Sequence, residues 1–177
     1  MLVRKEETKK QQKLLINFAR MERELKYMLE AVELSRKGIS GLEGGPFGCV
    51  IVRGDEVVGR GWNKVTSSCD PTAHAEIVAI REACEKLGSH QLTGCEVYTS
   101  CEPCPMCLGA IYWARIDQIY YANDKADAAA IGFDDKFIYD EIACSMENRK
   151  LPIVQLLRDE AQGAFKLWER SESKTEY

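Results

Sequence analysis

Histidine is scarce in this chain: the 177 residues hold two, His74 and His90. A metal site built from three imidazoles is therefore excluded. Long apolar runs are missing too. None reaches the roughly 18 residues of a membrane helix, and the N-terminus leads into Lys and Glu rather than the apolar core of an export signal. Positive charge is in deficit, with 24 Lys and Arg against 28 Asp and Glu and a net charge of −4. Residues 1–20 take six of the basic groups (Arg4, Lys5, Lys9, Lys10, Lys13, Arg20) and two acidic ones, which leaves 18 basic against 26 acidic groups elsewhere. An acidic body is unsuited to displacing counterions from a polynucleotide, so nucleic acid is a poor expectation for the partner. Eight cysteines are too few for a disulfide scaffold in a chain of this length. Without an export signal they predict a reducing cytoplasm, where clustered cysteines bind metal rather than pair. There is no internal repeat and no low-complexity linker. The reading is one folded domain over 21–177 behind a basic, poorly ordered extension over 1–20.

What is present alternates between strand and helix. Leu25, Met28, Leu29 and Val32 recur at helical spacing and predict an amphipathic helix near 21–37, ended by Gly38 and Gly41. Gly44-Gly45-Pro46 reads as a loop. Residues 47–53 and 56–61 are β-rich runs around Gly54-Asp55, a hairpin. Asp70-Pro71-Thr72 is read as opening a helix, capped by Asp70, that runs to about Leu87 before Gly88. A short strand follows at 95–99, a helix from near Cys104 to Ala114, and a strand over Ile116–Ala122. Residues 124–150 mix helix and loop, 151–157 predict a last strand, and 161–171 a final helix. The expected fold is a three-layer α/β/α arrangement, its sheet mixed rather than parallel because of the opening hairpin.

Two short motifs carry the chemistry. His74-Ala75-Glu76 lies about thirty residues before Pro103-Cys104-Pro105-Met106-Cys107. Together they offer one imidazole and two thiolates, three ligands of a catalytic zinc with its fourth position open to water. Cys104 and Cys107, three apart, share one face of a helix at its first turn, where the dipole favours thiolates. His74 and Glu76 are about 200° apart on an ideal helix, so Glu76 is not a fourth ligand but an offset base. Two thiolates cancel the charge of Zn²⁺ and weaken its grip on a water proton, which gives that base a task. The expected reaction is attack of zinc-bound hydroxide on an amidine-like ring carbon, with Glu76 passing protons to a ring nitrogen and the departing amine. Cys101 forms a second, overlapping C-x-x-C with Cys104. Were it a ligand, the site would close and become structural. His90, after Gly88, reads as a surface residue.

The split H-x-E and P-C-x-x-C pattern is that of zinc-dependent nucleobase deaminases. Together with Gly44-Gly45-Pro46-Phe47-Gly48, Asp70-Pro71-Thr72-Ala73-His74, Ala79-Ile80-Arg81 and the run from Thr99 through Arg115, it resembles the cytidine-deaminase-like superfamily. Gly132-Phe133-Asp134-Asp135, Phe137-Ile138-Tyr139 and the ending Glu176-Tyr177 are similar to the bacterial guanine-deaminase branch. The resemblance implies a five-stranded mixed sheet, one zinc per subunit on His74, Cys104 and Cys107, and catalysis by Glu76. It further implies a homodimer that exchanges C-terminal segments. Phe47 would stack on a purine base, Asn63 and Asp135 would bond its edge, and Tyr177 would cap it. Against this stand a core role for Phe47, a turn role for Asn63 and helix-cap roles for Asp134 and Asp135. Glu141 is a further carboxylate that could handle a proton. Other outcomes are a deaminase of guanosine, cytosine or tRNA adenosine, and a zinc-stabilised interaction domain without activity.

Overall fold

The computed structural model describes the backbone of residues 2–176 and the side chains of 11, 12 and 14–176. A long helix α1 (Leu2–Ser40) precedes the hairpin β1 (Gly48–Arg53) and β2 (Glu56–Trp62). The short α2 (Val65–Ser68), the helix α3 (Ala75–Leu87), β3 (Cys95–Cys101), α4 (Pro105–Trp113) and β4 (Gln118–Asn123) complete the body. Beyond it come α5 (Lys125–Ala130), α6 (Lys136–Ala143), a single 3₁₀ turn (Met146–Asn148) and α7 (Arg158–Arg170). The helix expected over 21–37 lies inside α1, whose backbone continues back to Leu2.

The sheet runs β2-β1-β3-β4. β1 is antiparallel to both β2 and β3, and β3 is parallel to β4, so the sheet is mixed as expected. Both faces are covered, and β1 and β3 are accordingly buried nearly end to end. Alternate residues go to opposite sides. Cys49, Ile51, Cys95 and Val97 join Ala75, Ala79 and Ala83 of α3 in one apolar cluster. Val50, Val52 and Tyr98 join Tyr27 and Ala31 of α1 in the other. Each fully buried large side chain contributes about 1.5–3 kcal/mol. Glycine lets α3 lie close: a Cβ on Gly61 would overlap the Ala75 carbonyl and crowd the Ala79 amide. On the opposite face, Arg23 fastens α1 to the strands. Its guanidinium reaches Glu96 at 2.6 Å, Asp55 at 2.9 Å and the Tyr98 hydroxyl at 3.2 Å.

Four expectations need correction. The sheet has four strands among the described residues, not five. Residues 151–157 are exposed and pair with no strand among the described residues, and Pro152 removes one ladder donor. Asp70 does not cap α3. Its Oδ1 accepts bonds from the Thr72 amide at 2.8 Å and the Thr72 hydroxyl at 2.7 Å, closing a turn of its own. The helix starts only at Ala75, with His74 at its N-cap. β4 begins at Gln118 rather than Ile116 because the chain first turns at Arg115, which has φ 58°. There the Ala114 carbonyl accepts from the Leu92 amide and the Asp117 amide donates to the Cys95 carbonyl.

Candidate active site

The two helix starts that the motifs predicted meet at one place. His74 is the N-cap of α3 and Cys104 the N-cap of α4, with Pro105 at the first position, where a missing amide is harmless. Ligand atoms of His74, Cys104 and Cys107 lie within 4.8 Å of one another. The Nδ1 of His74 is 3.5 Å from each sulfur. One imidazole and two thiols in this clustering match the donor set of a zinc site with an open position. Cys101 is outside the group; its sulfur points to the Asp124 carbonyl at 3.6 Å, and burial, then the nearby Glu76, pushes its thiol up to about 11.

Charge at the site is strongly coupled. The hydrogen bond from Cys107 holds the Cys104 thiol down at about 4, with His74 assisting. Cys107 is pushed up by that same bond and by burial, so Cys104 is the thiolate of the pair until a cation joins them. His74 is raised, chiefly by its bond to Cys104. Glu76 sits one residue inside α3, 6% exposed, and burial raises its carboxyl. Its Oε1 accepts from the Thr99 hydroxyl at 3.2 Å and its Oε2 from the Cys107 thiol at 3.4 Å. A buried carboxyl beside a ligand cluster is an arrangement that can accept and return protons.

His74, Glu76 and Cys104 line a cavity of about 670 Å³, a size suited to a small flat ligand. Phe47, Asn63 and Asp135 are in its walls, as expected. Phe47 also packs on the core, and it meets Phe133 edge to face, ring centroids 4.9 Å apart. Asn63 is buried, and its Oδ1 accepts from the amides of Gly45 and Val65, both at 3.2 Å. It is thus a turn residue as well, with its N–H₂ group left for a ligand. Gly44 has to be glycine here, because a Cβ would overlap the Asn63 carboxamide. Asp135 is the N-cap of α6 without a side-chain bond to it, while Asp134 accepts from the Lys136 amide at 2.9 Å. Burial, then Cys104, raises the Asp135 carboxyl.

Not every expected residue is in this cavity. Glu141 lines a separate groove with Phe137 and Ile142, its Oε2 accepting from the Lys150 amide at 2.8 Å. Tyr177 lies outside the described residues. Sequence reasoning missed Thr99, Glu102, Thr66 and Ile138. None of them carried a signal in the sequence: even the Thr99 hydroxyl lies in a strand that also holds Glu96, Tyr98 and Ser100.

Residues 21–123 match the cytidine and deoxycytidylate deaminase zinc-binding region. The chain is 50% identical over 151 residues to the guanine deaminase of Bacillus subtilis, spanning 85% of this chain and 97% of that one. The crystal structure of a Bacillus subtilis guanine deaminase superposes with a TM-score of 0.83 at 50% identity, over 86% of this chain and 97% of that one. A guanine deaminase from Nitrosomonas europaea superposes at 0.59 with 36% identity, over 62% and 64%. The tRNA-specific adenosine deaminase of Aquifex aeolicus is 43% identical over 87 residues, 49% of this chain and 58% of that one. With the ligand cluster, the buried glutamate and the sheet all in register with that match, the chain belongs to the zinc-dependent cytidine and deoxycytidylate deaminase family.

Proposed function

We propose that this chain hydrolyses guanine to xanthine and ammonia. The observation that carries the reading is one buried carboxylate, Glu76, beside the His74, Cys104 and Cys107 cluster, with Glu76, His74 and Cys104 lining a cavity walled by Phe47 and Asn63. Likeness to two bacterial guanine deaminases, one across 85% of this chain, selects guanine over other bases. His74, Cys104 and Cys107 would hold one zinc per subunit, and zinc bound there supplies Lewis acidity that makes a water more acidic. Glu76 takes one proton from the attacking water and delivers it to the adjacent ring nitrogen, then takes the remaining hydroxyl proton of the adduct and gives it to the departing amine. The water oxygen bonds to the carbon bearing the amine, the C–N bond breaks, ammonia leaves and a carbonyl remains. Phe47 stacks on the ring, Asn63 donates to its edge, and Asp135 reads ring N–H groups.

The working unit in this reading is a homodimer that exchanges C-terminal segments, so that Tyr177 of each chain closes the neighbour's cavity. Support comes from β4, whose outer edge is unpaired among the described residues, and from α7, whose Phe165 and Trp168 are 70% and 48% exposed. We assign residues 21–177 to the deaminase domain and 1–20 to an extension, since the family match begins at residue 21. A cytoplasmic location fits eight free cysteines. No described helix is long and apolar enough to cross a membrane. Ammonia release from guanine, guanosine, cytosine, adenine and adenosine by zinc-loaded protein tests the reading. Guanine should lead; no release from any of them sinks the enzyme, and preference for another base sinks the choice of guanine.

A further inference from the structure

We infer that Thr99 is a positioning residue for Glu76, its hydroxyl fixing the carboxylate in the orientation from which it moves protons. Thr99 is 1% exposed and sits opposite Cys49 in the β1–β3 ladder. By strand alternation it shares the α3-facing side with Cys95 and Val97, both in the apolar cluster. Valine would fill that place with the same shape and equal strand preference. A hydroxyl buried there is costly unless it is bonded, and this one is spent on Oε1 of Glu76 at 3.2 Å.

The second side-chain donor to Glu76 is temporary. Cys107 gives its S–H to Oε2 at 3.4 Å, but metal ligation requires a thiolate, which has no proton to give. Once Cys104 and Cys107 hold a metal, the hydroxyl of Thr99 is the side-chain donor left to Glu76 among these contacts. It anchors one carboxylate oxygen and leaves the other, on the sulfur side, to face the reaction. The strand that leads into the Cys104 motif thus also carries the group that aims the base.

The kinetic consequence rests on the proposed deamination, whereas the contact itself does not. Thr99→Val, Thr99→Ser, Glu76→Ala and the double variant Thr99→Val with Glu76→Ala are compared as zinc-loaded proteins at one pH. Zinc per chain should match wild type in Thr99→Val. Its kcat on guanine should fall about tenfold, as expected for a lost charge-assisted bond, with KM within about twofold, and Thr99→Ser should regain most of the rate. Thr99→Val should lower the thermal midpoint by about 4 °C when Glu76 is present. In the Glu76→Ala background, where the buried hydroxyl has no carboxylate to bond, the same substitution should not lower the midpoint and should raise it by up to a few degrees. Unchanged kcat in Thr99→Val, a Thr99→Ser as slow as Thr99→Val, or an equal midpoint loss in both backgrounds would each overturn the inference. Should wild type fail to turn over guanine, the deaminase reading falls, and the midpoint cycle still decides the contact.

Discussion

The molecule divides into two unlike parts at the end of α4. Up to Ala114 the chain is built around two apolar clusters, with β1 and β3 buried between helices. After Ala114 no described residue is buried. The later part still has well-formed helices: α5 carries a full capping box between Asp124 and Asp127. Local signals thus suffice to form its helices, while many of their apolar side chains, Phe137, Ile142 and Phe165 among them, stay exposed. The chemistry belongs to the first part, where packing can hold a carboxylate and three ligand groups in place. The second part contributes Asp135 and Phe133 to one wall of the cavity and leaves much of its remaining apolar surface exposed.

Breaking the first part should have the largest effect. Glu76→Gln should keep zinc bound and lower kcat by at least about 10²-fold, checked by ammonia release beside metal analysis. Metal removal tests the electrostatics of the same region. With zinc stripped, a Cys104 thiol held down at about 4 stays ionised above that pH. Its alkylation by iodoacetamide should change less than about twofold between pH 8 and pH 6. A free cysteine loses roughly 80-fold of its thiolate over that interval. Reloading zinc should protect it, as read by peptide mass.

A pair of glycines sharpens the contrast. Gly61→Ala forces a Cβ into the backbone of α3 and should cost about 1–3 kcal/mol, a fall of roughly 3–10 °C in midpoint. Gly163→Ala, inside α7, meets nothing within 4 Å and gains helix propensity, so it should raise the midpoint by about 1–4 °C. The smallest effect is expected at the end of the chain. Removing Tyr177 should raise KM for guanine by about 3–10-fold, an aromatic contact's worth. An unchanged KM would take the terminal tyrosine out of the site.

Most of the first part was legible because its period and punctuation agree. The hairpin around Gly54-Asp55, the strand before the cysteines and the split ligand motif all fell where the residues placed them. Misreadings have local causes. Asp70 looked like a helix cap, but aspartate closes turns as readily, so the cap of α3 was placed at Asp70 instead of His74. Residues 151–157 have the composition of a strand, but a strand exists only where an edge accepts it. Thr99 went unweighed because its task depends on a carboxylate 23 positions away, which periodicity cannot show.

Asn63 has a consequence for access to the cavity. One carboxamide oxygen pins the amide of Gly45 on one rim and that of Val65 on the other. The Glu43 carbonyl ties the same two rims again, accepting from the Ser67 amide and the Thr66 hydroxyl. Neither side can swing without dragging its neighbour. The mouth on this side therefore works as a fixed frame, and Phe133, half exposed, stands beside its Gly45 rim.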